Sequence, residues 1–171
     1  MKNKKNYTLA EIGVFVALFA VVSQISIPMP FFVPLTLQTL IFPLAAFVLG
    51  TKKSIIAVLV YIMLGFIGVP VFAGFGGGIV ALLGYTGGFI WGFFPLVFLC
   101  AIGKGKIKIL FCALGLILCH LIGVVWYSFA SKNGIIISFF TMSLPYIFKD
   151  AALMAFAYFL SSMINKRIKK S

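Results

Sequence analysis

The sequence predicts an all-α, polytopic membrane protein: one domain over residues 1–171, folded as a bundle of six transmembrane helices. Three observations carry this. The chain is 63% hydrophobic and 9% charged, with mean hydropathy +1.22, whereas soluble domains run at about 25% charged residues. Its apolar stretches are long and continuous, which suits helices rather than the alternating strands of a membrane barrel. Its cations fall on every second connection, and cytoplasmic loops are the ones that collect Lys and Arg.

The first span, 8–27, follows Lys2, Lys4 and Lys5. It exceeds the apolar region of a signal peptide, about 7–15 residues, and no A-x-A site follows, so it is expected to persist as a helix. Span two, 35–50, and span three, 54–69, flank Lys52 and Lys53. Both are short against the roughly 17–25 residues of a straight crossing. Span four, 86–103, and span five, 109–129, flank Lys104, Lys106 and Lys108. Span six, 145–164, runs into Lys166, Arg167, Lys169 and Lys170. The remaining connections, 28–35, 71–88 and 130–149, hold only Lys132 and Lys149. This alternation predicts cytoplasmic N- and C-termini in the cell membrane. It also assigns the net charge of +12 to the bilayer surface rather than to a nucleic acid.

The connection 71–88 is too apolar for a solvated loop and too rich in glycine for a regular helix. Irregular backbone near membrane depth persists only where it is buried or lines a cavity. A Gly-rich segment over the outer face, between helices 3 and 4, is therefore expected, while Gly84, Gly88 and Gly92 are spaced for close helix packing.

The chemical inventory is thin. Cys100, Cys112 and Cys119 fall within apolar spans without CxxC spacing, so neither a disulfide nor a metal site is expected. There is no phosphate loop and no nucleophile motif, and the only histidine, His120, reads as a neutral core residue. The chain is expected to be no enzyme and to carry no cofactor. Of its two carboxylates, Glu11 lies near the cytoplasmic start of span one and Asp150 inside span six. An acid at membrane depth costs roughly 2.5–3.5 kcal/mol on insertion scales and so marks a functional position unless it merely pairs with a neighbour. Asp150 lies about 7 Å into span six, at the end of the bundle expected to hold the Gly-rich segment and Phe72, Phe75, Tyr85 and Tyr146. The start of span four at Thr86-Gly87-Gly88 offers amides to an anionic group. Together these suit a small amphipathic ligand with an N–H-bearing head and an apolar body.

Four ordered motifs carry a resemblance. Val33-Pro34-Leu35-Thr36-Leu37-Gln38-Thr39-Leu40, Tyr61-x-x-x-Gly65-x-x-Gly68-Val69-Pro70-Val71-Phe72, Gly84-Tyr85-Thr86-Gly87-Gly88-Phe89 and Pro145-x-x-x-x-Asp150 resemble BioY, the biotin-binding S component of energy-coupling-factor (ECF) transporters. The resemblance implies high-affinity capture of biotin from outside and passage inward by toppling in the bilayer, coupled to an EcfT-like membrane subunit and two EcfA-like ATPases that hold the ATP. It implies that Asp150 accepts from the ureido ring. Gln38 and Thr36 become polar neighbours of that ring, Gly77, Gly78, Thr86 and Gly87 permit close approach, and Phe72, Phe75 and Tyr85 enclose the apolar part. Gly13 and Ala17 resemble the small-residue stripe that docks on EcfT, with packing inside the bundle as the alternative. The family usually has Gly before this Asp and Lys three residues after it; here Lys149 and Leu153 stand there, one helix turn apart on one face. Lys149 either supplies the cation from the other side or snorkels to the interface. The family also usually has Pro where Tyr85 stands.

Three other readings remain open. They are an S component for thiamin or riboflavin, an ion- or proton-conducting protein gated at Asp150, and an intramembrane enzyme using His120 and Ser128. The last pair is eight residues apart, roughly 80° from sharing a helix face.

Overall fold

Prolines 28 and 34 flank the end of the first apolar run. In the computed structural model, which describes residues 2–29 and 33–168, helix α1 spans Lys2–Ser23 rather than reaching Ile27. Ser26–Ile27 (β1) instead pairs antiparallel with Leu35–Thr36 (β2), Ser26 opposite Thr36 and Ile27 opposite Leu35. Proline fixes φ, lacks an N–H and disfavours helix in the residue before it, so the expected margins of spans one and two become a short hairpin. Lys169 and Lys170 of the terminal cation cluster lie outside the described residues.

Helix α2 (Gln38–Leu49) and helix α3 (Thr51–Phe66) are joined by Gly50 alone. Its φ of 74° and ψ of 177° define a conformation essentially restricted to glycine. The Gly50 carbonyl accepts from Ser54 N–H (3.1 Å), the first bond of α3, and from Ser54 Oγ (2.7 Å). The segment expected to be irregular contains a 3-10 turn at Ala73–Phe75 and a short helix α4 (Gly78–Leu83) before α5 (Gly87–Ile102). Helix α6 is Lys108–Ser131, α7 is Ile135–Met142 and α8 is Leu144–Ile168. The fold is thus all-α apart from the two-residue strands, with eight α-helices among the described residues; α4 and α7 add to the six apolar runs. Of these, α6 and α8 are long and apolar enough to cross a bilayer, and α2, α3 and α5 are shorter.

The centre is aromatic. Phe42 of α2, fully buried, stacks on Phe19 of α1 and Phe93 of α5 with ring centroids 4.3 Å apart in both pairs, and Tyr61 of α3 meets it edge-on at 5.4 Å. Helices α5 and α6 pack closely where they carry glycine: a Cβ on Gly92 would stand 2.9 Å from Cys119 Sγ. One end of the bundle collects cations. There Lys53 pairs with Glu11, and Lys108 Nζ lies 4.4 Å from the centre of the Phe47 ring. The opposite end carries the hairpin, the Gly-rich loop, α4 and α7.

The loop is held down by Gln24, just past the end of α1. Gln24 Oε1 accepts from the Phe75 N–H (2.8 Å), while Nε2 donates to Ala20 O (2.9 Å) and Pro70 O (3.4 Å). Gly74 and Phe75 both take positive φ, 66° and 58°, and the Phe72 N–H closes on Gly76 O at 3.0 Å.

Candidate functional site

At this end the hairpin, the Gly-rich loop, α4, the middle of α6 and the adjoining ends of α2, α5, α7 and α8 line a cavity of about 500 Å³. That is within the roughly 300–1,000 Å³ of small-molecule sites. The hairpin contributes Met29, Val33 and Thr36; the loop, Phe72, Ala73 and Gly76; α5, Phe89, Ile90 and Phe93. Helix α6 contributes Cys119 and His120, the end of α7 Met142, and the first turns of α8 Tyr146, Lys149 and Asp150. Tyr146 donates to Val33 O (2.6 Å) and so ties α8 to the hairpin.

Asp150 is the polar centre, 5% exposed. Thr39 Oγ1 donates to its Oδ1 at 2.5 Å and Lys149 Nζ pairs with the same oxygen. His120 Nε2 lies 3.2 Å from Oδ2. An apolar pocket therefore holds one carboxylate faced by three donors, and charge-assisted hydrogen bonds of this kind are the strong ones. Lys149 also donates to Thr36 O (2.7 Å), so it turns into the cavity rather than snorkelling to the membrane interface.

A second polar chain supports the floor. Gln38 Nε2 donates to Ser23 Oγ (3.0 Å) and Tyr61 Oη (3.3 Å), and Gln38 Oε1 accepts from Thr36 Oγ1 (3.0 Å). Tyr61 in turn donates to Val71 O (3.1 Å). Gln38 has spent its amide within the protein, so it braces the cavity from beneath.

The structure brings Asp150, Lys149, Thr36, Gln38, Thr86 and Phe72 together around one cavity. It sets five of the expected residues outside the lining. Phe75 is 71% exposed, its ring turned outward by the left-handed backbone that Gln24 holds. Tyr85 is exposed and packs its ring 5.6 Å from Tyr127. Gly77 lies against the Val69 carbonyl, where a Cβ would come within 2.7 Å, and Gly78 opens α4 at φ 76°. Gly87 is pressed on Leu82 O, and its N–H is taken by Gly84 O at 3.0 Å, so it offers no amide to a ligand. Ser128 donates to Asn133 O (2.7 Å), well away from any catalytic partnership with His120. Conversely, Thr39, His120, Phe89 and Met142 enter the cavity unpredicted. For His120 the available signal was a lone imidazole in the middle of a hydrophobic span; for Thr39, its place directly after Gln38.

The model of the BioY family matches residues 1–170. The chain belongs to the BioY family. A relative described as a probable biotin transporter BioY, from Pyrococcus horikoshii, is 40% identical over 156 residues, covering 90% of this chain and 93% of the relative. The biotin transporter BioY2 of Lactococcus lactis is 39% identical over 138 residues, covering 77% of this chain and 75% of that one. A crystal structure of the S component for biotin from an ECF-type ABC transporter superposes with a TM-score of 0.87 at 25% identity, covering 97% of this chain and 94% of that one. Like its BioY relatives, the chain is a membrane transporter component and not an enzyme. Among the described residues no cluster of His, Cys, Asp and Glu could hold a metal ion.

Proposed function

We propose that this BioY family member binds biotin in the cavity at Asp150 and delivers it as the S component of an ECF-type transporter. The observation that carries the reading is the buried Asp150 carboxylate with Thr39, His120 and Lys149 around it. A cyclic urea presents N–H donors and a carbonyl acceptor on one edge, and the cluster offers an acceptor surrounded by donors. Phe72, Phe89, Ile90, Phe93 and Met142 form apolar walls for the fused thioether ring and the alkyl tail. Ion conduction finds no support below the site, because the stacked rings of Phe19, Phe42 and Phe93 fill the core.

The cation-rich end faces the cytoplasm in this reading, with both termini there and the cavity opening outward. Gly13 and Ala17 lie exposed on α1, and a Cβ on Gly13 would meet nothing within 4 Å. The stripe is therefore free to accept a close-packed helix from an EcfT-like subunit, whose two EcfA-like ATPases would supply the energy.

Isothermal titration of the detergent-purified chain is expected to give saturable 1:1 binding of biotin that thiamin and riboflavin do not displace. Saturable heat from either of those vitamins, with none from biotin, would reassign the substrate.

A further inference from the structure

Both nitrogens of the His120 ring are engaged in a buried setting: Nδ1 lies 3.1 Å from Ser143 Oγ and Nε2 3.2 Å from Asp150 Oδ2. The ring meets Phe89 edge-on at 6.0 Å. Serine hydrolases place the carboxylate at Nδ1 and the serine at Nε2; here the order is reversed. Ser143 is moreover 1% exposed and absent from the cavity wall, so it is no nucleophile. Its backbone is already satisfied: the N–H bonds Phe139 O, and the carbonyl accepts from Tyr146 and Ile147. What remains is a hydroxyl aimed at one imidazole nitrogen.

We propose that His120 is a positioning residue of the ligand pocket, held by Ser143 in the Nε2–H tautomer so that it fixes Asp150 and leaves one carboxylate lone pair for a ligand N–H. The ligand half of this inference rests on the biotin reading; the tautomer half does not.

The argument runs through charge and then through counting. Lys149 already neutralises Asp150, so a protonated imidazole would leave an uncompensated cation in a buried site, which is strongly unfavourable. A neutral imidazole carries one N–H and one lone pair, and an ionised carboxylate can only accept. The nitrogen facing Asp150 must therefore hold the hydrogen. Nδ1 is then the acceptor, and Ser143 must donate to it. An ionised carboxylate has about four acceptor positions. Thr39 and Lys149 occupy those of Oδ1, and His120 takes one of Oδ2. A single position on Oδ2 is left, so a cyclic urea engages Asp150 through one N–H rather than two. Without His120, Oδ2 has two open positions and the carboxylate is held through Oδ1 alone.

His120 is the only histidine in the chain, so full-length protein labelled with 15N-histidine yields one imidazole. Its nitrogen shifts are expected to show Nε2 protonated and Nδ1 bare, and Ser143→Ala is expected to shift the ring toward a mixture of tautomers. A wild-type ring protonated at Nδ1 alone, or at both nitrogens, overturns the proposal whatever the ligand proves to be. Titration with biotin supplies the second arm. His120→Leu is expected to weaken binding by roughly tenfold or more, the scale of a hydrogen bond to a charged group. His120→Gln, whose amide N–H can reach the place of Nε2–H, is expected to recover to within about threefold. In an Asp150→Asn background, His120→Leu should add less than about a twofold further loss, because a residue that acts through another is non-additive with it. Equal losses in both backgrounds would make His120 a general packing residue and overturn the proposal. A wild-type chain that binds no biotin removes the biotin reading instead, and the nitrogen shifts then decide the tautomer on their own.

Discussion

Asp150→Asn lowers biotin affinity by about 10- to 100-fold, on the scale of a charge-assisted hydrogen bond. The substitution preserves shape, so the loss comes from electrostatics alone. An amide has one acceptor oxygen and an NH2 group where the carboxylate had two acceptors. Thr39 and Lys149 face one of those atoms and His120 the other, so in either amide orientation at least one donor meets a donor. Lys149 also loses its counter-charge. Removing one partner of a buried pair costs about 3–5 kcal/mol, and the cost is reduced here because the Lys149 side chain is 22% exposed. The variant is therefore expected to melt below the wild type even without ligand. Isothermal titration with biotin, alongside thermal unfolding of the ligand-free protein, measures both effects. Wild-type affinity in this variant would remove Asp150 from the binding site.

The class of fold was legible because a bilayer imposes length and hydropathy on each helix: α5 and α6 begin and end within two residues of the limits read from the sequence. The short elements were not legible. Helix α7, eight residues inside a connection, has only Ser138 and Met142 buried, and its apolar character resembles that of its surroundings. Within the site, Asp150 stood out because an isolated acid in a hydrophobic run needs a reason. Its partners did not, since Thr39 lies 111 residues away in sequence and nothing local in either helix predicts that they meet. The glycines show the converse error. Gly77, Gly78 and Gly87 sit where the backbone requires glycine, for a carbonyl contact, a positive φ and a tight turn onto α4, whereas the motif resemblance and the start of span four had suggested close approach to a ligand.

Gly88→Ala is expected to lower stability by forcing two helices apart, because a Cβ there would fall 2.3 Å from Trp126 Cβ and 2.8 Å from Ile122 O. Neither atom is the free end of a flexible chain, so α5 and α6 must separate. Trp126 Nε1 donates to Gly84 O at 3.0 Å, and that bond is stretched by the same movement. Overpacking of this kind costs about 1–3 kcal/mol. For a chain of this size each kcal/mol shifts the melting temperature by about 2–4 °C. Helix α6 also carries His120, so biotin affinity is expected to fall together with stability. Gly13→Ala is the matched control: it gains the same helix propensity, but its Cβ meets nothing within 4 Å. In thermal unfolding of the isolated chain, Gly13→Ala should melt at or slightly above the wild type while Gly88→Ala melts several degrees lower. Equal melting of the two would mean that α5 and α6 do not approach through Gly88.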